Sequence, residues 1–257
     1  MLKLFLAELK REWTLLRRYA TEMVAGVVGI TIAFYGLFLT TKYVAGPIPQ
    51  FGDRLDSIVV GYVLWSLVVF IVSSIAGGLQ QEAFTGTLEQ IFLTPYGASR
   101  VFITRAIANL AIQLLQNIGI LLIIMVLTGT RLSFPPSLVL PLLAVLLGAY
   151  GMALAVGSLA LLLKRVQQLL GFLPFGLVVL LMVPVDSWTG PLQLLGVVLP
   201  MTPGAEMLRN LMARGGTFSG GEFAIALLNG MAYLTLGIWL FHTAERVAKR
   251  RGKLGGY

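Results

Sequence analysis

The chain has no cysteine and a single histidine, His242. That excludes a disulfide framework and a thiolate metal site, and it excludes the His-rich patterns of zinc hydrolases. Charge is scarce too: only 12% of the 257 residues are Asp, Glu, Lys or Arg, while 57% are apolar. No G-x-x-x-x-G-K-[ST] phosphate loop occurs, so ATP is not bound by that route. No convergent Ser/His/Asp or paired-carboxylate cluster can be assembled on one face, and neither an enzyme nor a metal site is expected. The N-terminus alternates charge with apolar residues and shows no continuous signal-peptide core.

What is present is length without polarity. Runs of about 20 apolar residues match the thickness of a bilayer core, and a water-soluble fold could not cover so much apolar surface. The expected fold is an all-α integral membrane protein with one permease-like domain over 1–257. Six spans are placed at 22–43, 57–79, 100–128, 138–163, 167–183 and 223–242. Residues 1–20 form an amphipathic helix. Leu2, Leu6, Leu9, Trp13 and Leu16 make its apolar stripe, and Lys3, Lys10, Arg11, Arg17 and Arg18 its wet side, a pattern suited to the membrane interface. The fifth span is short and is expected to break at Pro174. The apolar run from Pro191 to Pro200 is too short to cross and reads as re-entrant or interfacial. Met201 to Glu222 reads as a polar, Gly-rich outer stretch. Gly148, Gly151, Ala155 and the pair Ala153, Gly157 give the fourth span a face of small residues, where helix backbones can approach closely.

The net charge of +8 raises the question of nucleic acid. The basic residues lie at span ends, which points to topology and anionic headgroups and away from nucleic acid. With six spans the outer loops hold Lys42, Arg54, Arg131, Arg209 and Arg214. The remainder of the nineteen Lys and Arg lie on the inner side. The positive-inside rule then puts both termini in the cytoplasm of a plasma or inner membrane. A seventh span would send the basic tail outside.

The stretch from Gln80 to Pro95, QQEAFTGTLEQIFLTP, falls on the cytoplasmic side between spans two and three. Leu88, Ile91 and Phe92 share one helical face, and Pro95 is a natural stop. This segment resembles the signature of the permease subunits of ABC exporters, the type-2 ABC family. Glu82, Gly86, Thr87, Leu88, Glu89, Thr94 and Pro95 carry the resemblance. It implies that 80–95 is a coupling helix that docks on a separate ATPase. Leu88, Ile91 and Phe92 would be the docking face, and Glu82 and Glu89 would pair with basic residues of that partner. It further implies two ATPase copies, which bind ATP and magnesium while this chain binds no cofactor, and a second permease, identical or different. The cargo expected is hydrophobic or amphipathic: a drug, a lipid or a lipid-linked glycan. The family usually carries an Arg near the first Glu. Ala83 and Phe84 stand there in this chain.

Two further features were weighed. Asn109, Gln113, Gln116 and Asn117 lie along one face of span three. They are either interhelical hydrogen-bonding groups or the polar lining of a pathway. Phe218 to Glu222, FSGGE, looks like a degenerate ABC ATPase signature but stands alone and on the outer side; a Gly-rich turn explains it. The rival functions are an ATP-independent secondary transporter or lipid scramblase, a membrane-embedded enzyme, and a structural membrane subunit. The first would usually show intramembrane carboxylates or an inverted repeat, and neither is evident.

Overall fold

The computed structural model describes residues 2–45, 51–84, 98–162, 167–182 and 192–250, and all their regular structure is helical. In chain order the α-helices are α1 (Leu2–Arg18), α2 (Ala20–Ala45), α3 (Phe51–Val72), α4 (Gly78–Phe84), α5 (Ala98–Thr128), α6 (Val139–Leu162), α7 (Gln167–Met182), α8 (Leu192–Val198), α9 (Thr202–Ala213) and α10 (Gly220–Arg250). A π-helical turn, Ser73–Gly77, joins α3 directly to α4, and a 3-10 turn, Pro136–Leu138, leads into α6.

Among the described residues five stretches are long and apolar enough to cross a membrane: Ala20–Thr40, Leu55–Glu82, Thr104–Thr128, Pro136–Leu162 and Gly220–Ala248. They overlap, with other bounds, the stretches expected as spans one, two, three, four and six. The second and last run further than the apolar residues alone suggested. The fifth expected span is α7, whose 16 residues reach only about 24 Å. Pro174 does not break it. The helix runs through the proline, whose carbonyl accepts a hydrogen bond from the indole N–H of Trp65 at 2.8 Å. Neighbouring side chains commonly make an interior proline tolerable in a membrane helix.

The core is built around α3, which packs against α5, α6, α7 and α9. Val59, Val60, Val68, Ile71 and Val72 are fully enclosed there. The phenol of Tyr62 reaches α2, its ring tilted against that of Phe34 with centroids 4.7 Å apart and its hydroxyl donating to the carbonyl of Ile30 at 2.6 Å. The outer faces are apolar and uncovered: Val126 is 84% exposed, Phe172 75% and Trp239 62%. Such surface is intolerable in water and ordinary against lipid tails.

Among the described residues α6 packs extensively against α10. A Cβ on Gly151 would strike the main chain of Tyr233, and one on Gly237 would strike the carbonyl of Gly151. Small residues on both helices let the backbones meet, as the spacing on α6 suggested. Its partners on α10, Gly230 and Gly237, were not anticipated.

The stretch after Pro200 is a correction. Half of it, Thr202–Ala213, is a helix with Ala205, Met207, Leu208 and Leu211 buried, not a polar outer loop. Met201, at φ 65°, turns the chain into it. Arg209, counted as an outer-loop charge, is fully buried: it pairs with Glu206 at 2.8 Å and donates to the carbonyl of Leu181 near the end of α7. FSGGE is a capping box. Ser219 Oγ accepts from the N–H of Glu222 at 3.2 Å, and the carboxylate of Glu222 accepts from the N–H of Ser219 at 3.0 Å. His242 is half exposed beside Glu245, consistent with an interfacial position.

Candidate functional site

Long apolar helices leave little for charge to do inside the bundle, so the charged side chains that do meet are informative. One such group lies where α1, α4 and the first turns of α5 come together. Arg105, on α5, donates from Nη1 to Glu82 Oε1 at 2.9 Å. Its Nε lies 3.6 Å from Glu8 Oε2 on α1, an ion pair longer than a hydrogen bond. Glu8 also accepts from Arg11 at 3.0 Å. Four residues along, Glu12 lies 4.0 Å from Arg11 and faces Asn109 of α5. With its amide nitrogen turned to Glu12, Asn109 donates to the two carboxylate oxygens at 2.8 and 3.0 Å.

The side chains of Arg105, Glu8, Glu82 and Glu12 are each less than one-fifth exposed. Partial burial of opposite charges fixes geometry, because separating them would leave a charge poorly solvated. Burial raises the pKa of Glu12 above the ordinary carboxylate value; Arg11 opposes the shift, Glu8 adds to it, and Arg105 opposes it.

Helix α1 therefore docks on α5 through its acidic edge. Its apolar stripe faces away: Leu6 is 54% exposed, Trp13 49% and Leu9 37%. The guanidinium of Arg17 lies 5.4 Å from the Trp13 ring. The helix thus buries its acids on protein and leaves Leu6, Leu9 and Trp13 exposed.

Of the residues in 80–95 chosen from sequence, Glu82 is seated in this junction. Gln80 to Phe84 continue the helix of the second span rather than beginning a separate one. Gly86, Thr87, Leu88, Glu89, Ile91, Phe92 and Thr94 lie outside the described residues. The missing arginine near Glu82 has a counterpart: Arg105 reaches it from 23 positions away.

The polar face of α5 divides. Asn109 turns to α1, as above. Deeper in, Ser66 Oγ on α3 donates to Asn117 Oδ1 at 2.7 Å, and Asn117 Nδ2 donates to the carbonyl of Gln113 at 3.1 Å. Gln113 and Asn117 are buried. Gln116 is half-buried on the same helix.

Sequence reasoning missed Glu8, Glu12, Arg11 and Arg105. One local signal was available: two acids four apart on an otherwise basic helix share a face and ask for a cationic neighbour. Among the described residues no cluster of His, Cys, Asp or Glu could hold a metal ion.

The family model described as ABC-2 type transporter matches residues 3–213. Comparison with curated proteins finds no match.

Proposed function

Because the chain belongs to the ABC-2 type transporter family, as a multi-pass membrane permease subunit, we propose that it is the translocating half of an ATP-driven exporter. Six spans, with α7 as the short fifth, put both termini in the cytoplasm. The chain pairs with a second permease and with two copies of a separate ATPase, which bind ATP and magnesium. Residues 80–95 dock on that ATPase: Leu88, Ile91 and Phe92 supply the apolar contact, Thr87 suits the helix start, Pro95 stops it after Thr94, Gly86 belongs to the motif, and Glu89 pairs with a basic group. The cargo is hydrophobic or amphipathic, and the amides Gln113, Gln116 and Asn117 contribute to its path.

One observation carries the reading. Glu82, at the head of the docking segment, is tied by Arg105 to the third span and through Glu8 to α1. A push on 80–95 reaches three helices at once rather than being lost in a slack loop. Packed elements with charged tethers move as bodies and do not deform smoothly.

The absence of cysteine makes the test clean. A single Leu88→Cys chain in native membranes is treated with a short bifunctional thiol–amine reagent, and adducts are identified by mass spectrometry. An ATPase subunit captured there, and lost with Glu89→Lys, supports the reading. A chain that captures no ATPase from cells expressing candidate subunits overturns it and favours transport without ATP.

A further inference from the structure

Two hollows open side by side on the face formed by α8, α9 and the N-terminal half of α10. The first, of about 270 Å³, is lined by Thr202, Glu206, Asn210, Arg214 and Glu222 among others. The second, of about 460 Å³, is lined by Val198, Leu228, Ala232 and Leu236 together with Asn229 and Tyr233. Val197 and Ile225 line both, so they form one groove with a charged end and an apolar end.

The apolar end is held open by hydrogen bonds that use its polar atoms. Asn229 Nδ2 donates to the carbonyls of Val197, Val198 and Leu199 at 2.9, 3.3 and 3.1 Å, and its Oδ1 accepts from the N–H of Met201 at 3.2 Å. Tyr233 Oη donates to the carbonyl of Val198 at 2.9 Å. These bonds close the C-terminal end of α8, leaving carbon toward the groove: Leu228 is 66% exposed and Leu236 48%.

The charged end carries both signs. Glu206 is shared by Arg209 at 2.8 Å and Arg214 at 3.2 Å, and Glu222 stands at the start of α10, where its carboxylate accepts from the N–H of Ser219 at 3.0 Å. From Glu222 to Leu236 is fourteen helical steps, about 21 Å along the axis. That is one leaflet, half of the roughly 40–45 Å of a bilayer with its headgroups.

We propose that this groove binds one zwitterionic phospholipid from the outer leaflet, its phosphate on Arg214, its ammonium toward Glu222, and one acyl chain along Leu228 and Leu236. A guanidinium is well matched to phosphate, and carboxylates to an ammonium. An anionic headgroup brings no cation to Glu222, and a sterol leaves the charged end unmatched. The inference rests on α10 crossing the membrane with its N-terminus outside. It is independent of any ATPase.

The test uses the full chain in mild detergent, with native mass spectrometry during titration with palmitoyl-oleoyl phosphatidylethanolamine or the phosphatidylglycerol of the same chains. One retained equivalent of the ethanolamine lipid is expected, at least tenfold preferred over the glycerol lipid. Arg214→Gln and Leu228→Trp should each weaken it tenfold or more. Ile118→Trp, on the lipid face of α5, should leave it unchanged; Ile118 is 53% exposed, as Leu228 is exposed, so neither tryptophan disturbs the core. Equal retention of the two lipids overturns the proposal, as does retention that neither groove variant alters or that Ile118→Trp weakens equally.

Discussion

Arg209 donates to the main-chain carbonyl of Leu181 from a position wholly cut off from solvent. It thereby fills one of the acceptors that the end of α7 leaves without a helical partner. Gly61 of α3 makes the space, since a Cβ there would come within 3.3 Å of Nη2. Removing the side chain leaves that carbonyl and Glu206 without it. Arg209→Ala is expected to destabilise the fold by about 3 kcal/mol. Unfolding by SDS in mixed micelles measures this. The double change Arg209→Met with Glu206→Gln should recover part of the loss, since apolar replacement of a buried pair costs less than breaking it.

Arg105 pairs with Glu82 at 2.9 Å in the charged junction described above. Arg105→Gln leaves two sparsely solvated carboxylates facing a neutral amide, a cost of about 2 kcal/mol once residual solvation is allowed for. Residues 5–18 are expected to exchange amide hydrogens faster in this variant, with Arg105→Lys restoring most of the protection. Unchanged protection would mean that α1 is held by other contacts.

The raised pKa of Glu12 gives that docking a pH dependence. The folded state holds the proton more tightly than the unfolded chain does. The stabilisation is therefore complete below the unfolded value of 4.5 and is lost as pH rises through the folded value. Protection of α1 should decline over that interval, and Glu12→Gln should remove the decline. Hydrogen exchange as a function of pH reads both.

Glycines of α6 and α10 should divide from those of α2 by a simple criterion. At Gly151 a Cβ meets the backbone of the opposing helix, which cannot retreat; at Gly26 it meets nothing within 4 Å. Gly151→Ala should cost about 1–3 kcal/mol through overpacking, and Gly26→Ala should be neutral or slightly stabilising. Thermal midpoints in detergent give the comparison.

Gln113 and Asn117 separate structure from transport. Asn117→Leu removes the bond from Ser66, a loss of about 1 kcal/mol, since such bonds in membranes are modest. If these amides also line the cargo's path, Gln113→Leu with Asn117→Leu changes the ratio of transport rates between two cargoes of differing polarity. A reduced yield with an unchanged ratio assigns them to packing alone.

The helical architecture was legible because lipid imposes one rule on every span, and 20-residue apolar runs obey it locally. The close meeting of α6 with another helix was legible in Gly151, but not the identity of the other helix, because that lies 80 or more positions further on. Helix α9 was hidden by its composition. Arg209 and Arg214 beside glycines look like a solvated loop until Leu181 and Gly61 are brought to them. Arg105 escaped for the same reason, its acids lying on two other helices. The capping box was written plainly in Ser219 and Glu222. The two glycines between them make the same stretch read equally well as a Gly-rich turn.

The π turn at Ser73–Gly77 is where the second span accommodates one residue more than an α-helical turn would hold. The hydroxyl of Ser74 covers the carbonyl of Ile71 there at 2.9 Å. Because the surplus is absorbed within one turn, the faces presented above and below it are decoupled in phase. Shortening the chain by a single residue at this point should leave both halves in register with their neighbours, Val68 toward the core and Glu82 toward Arg105. Deleting one residue from the uninterrupted helix just upstream, at Val69, shifts the intervening segment by about 100° per residue, and that segment carries Ile71 and Val72 out of the core.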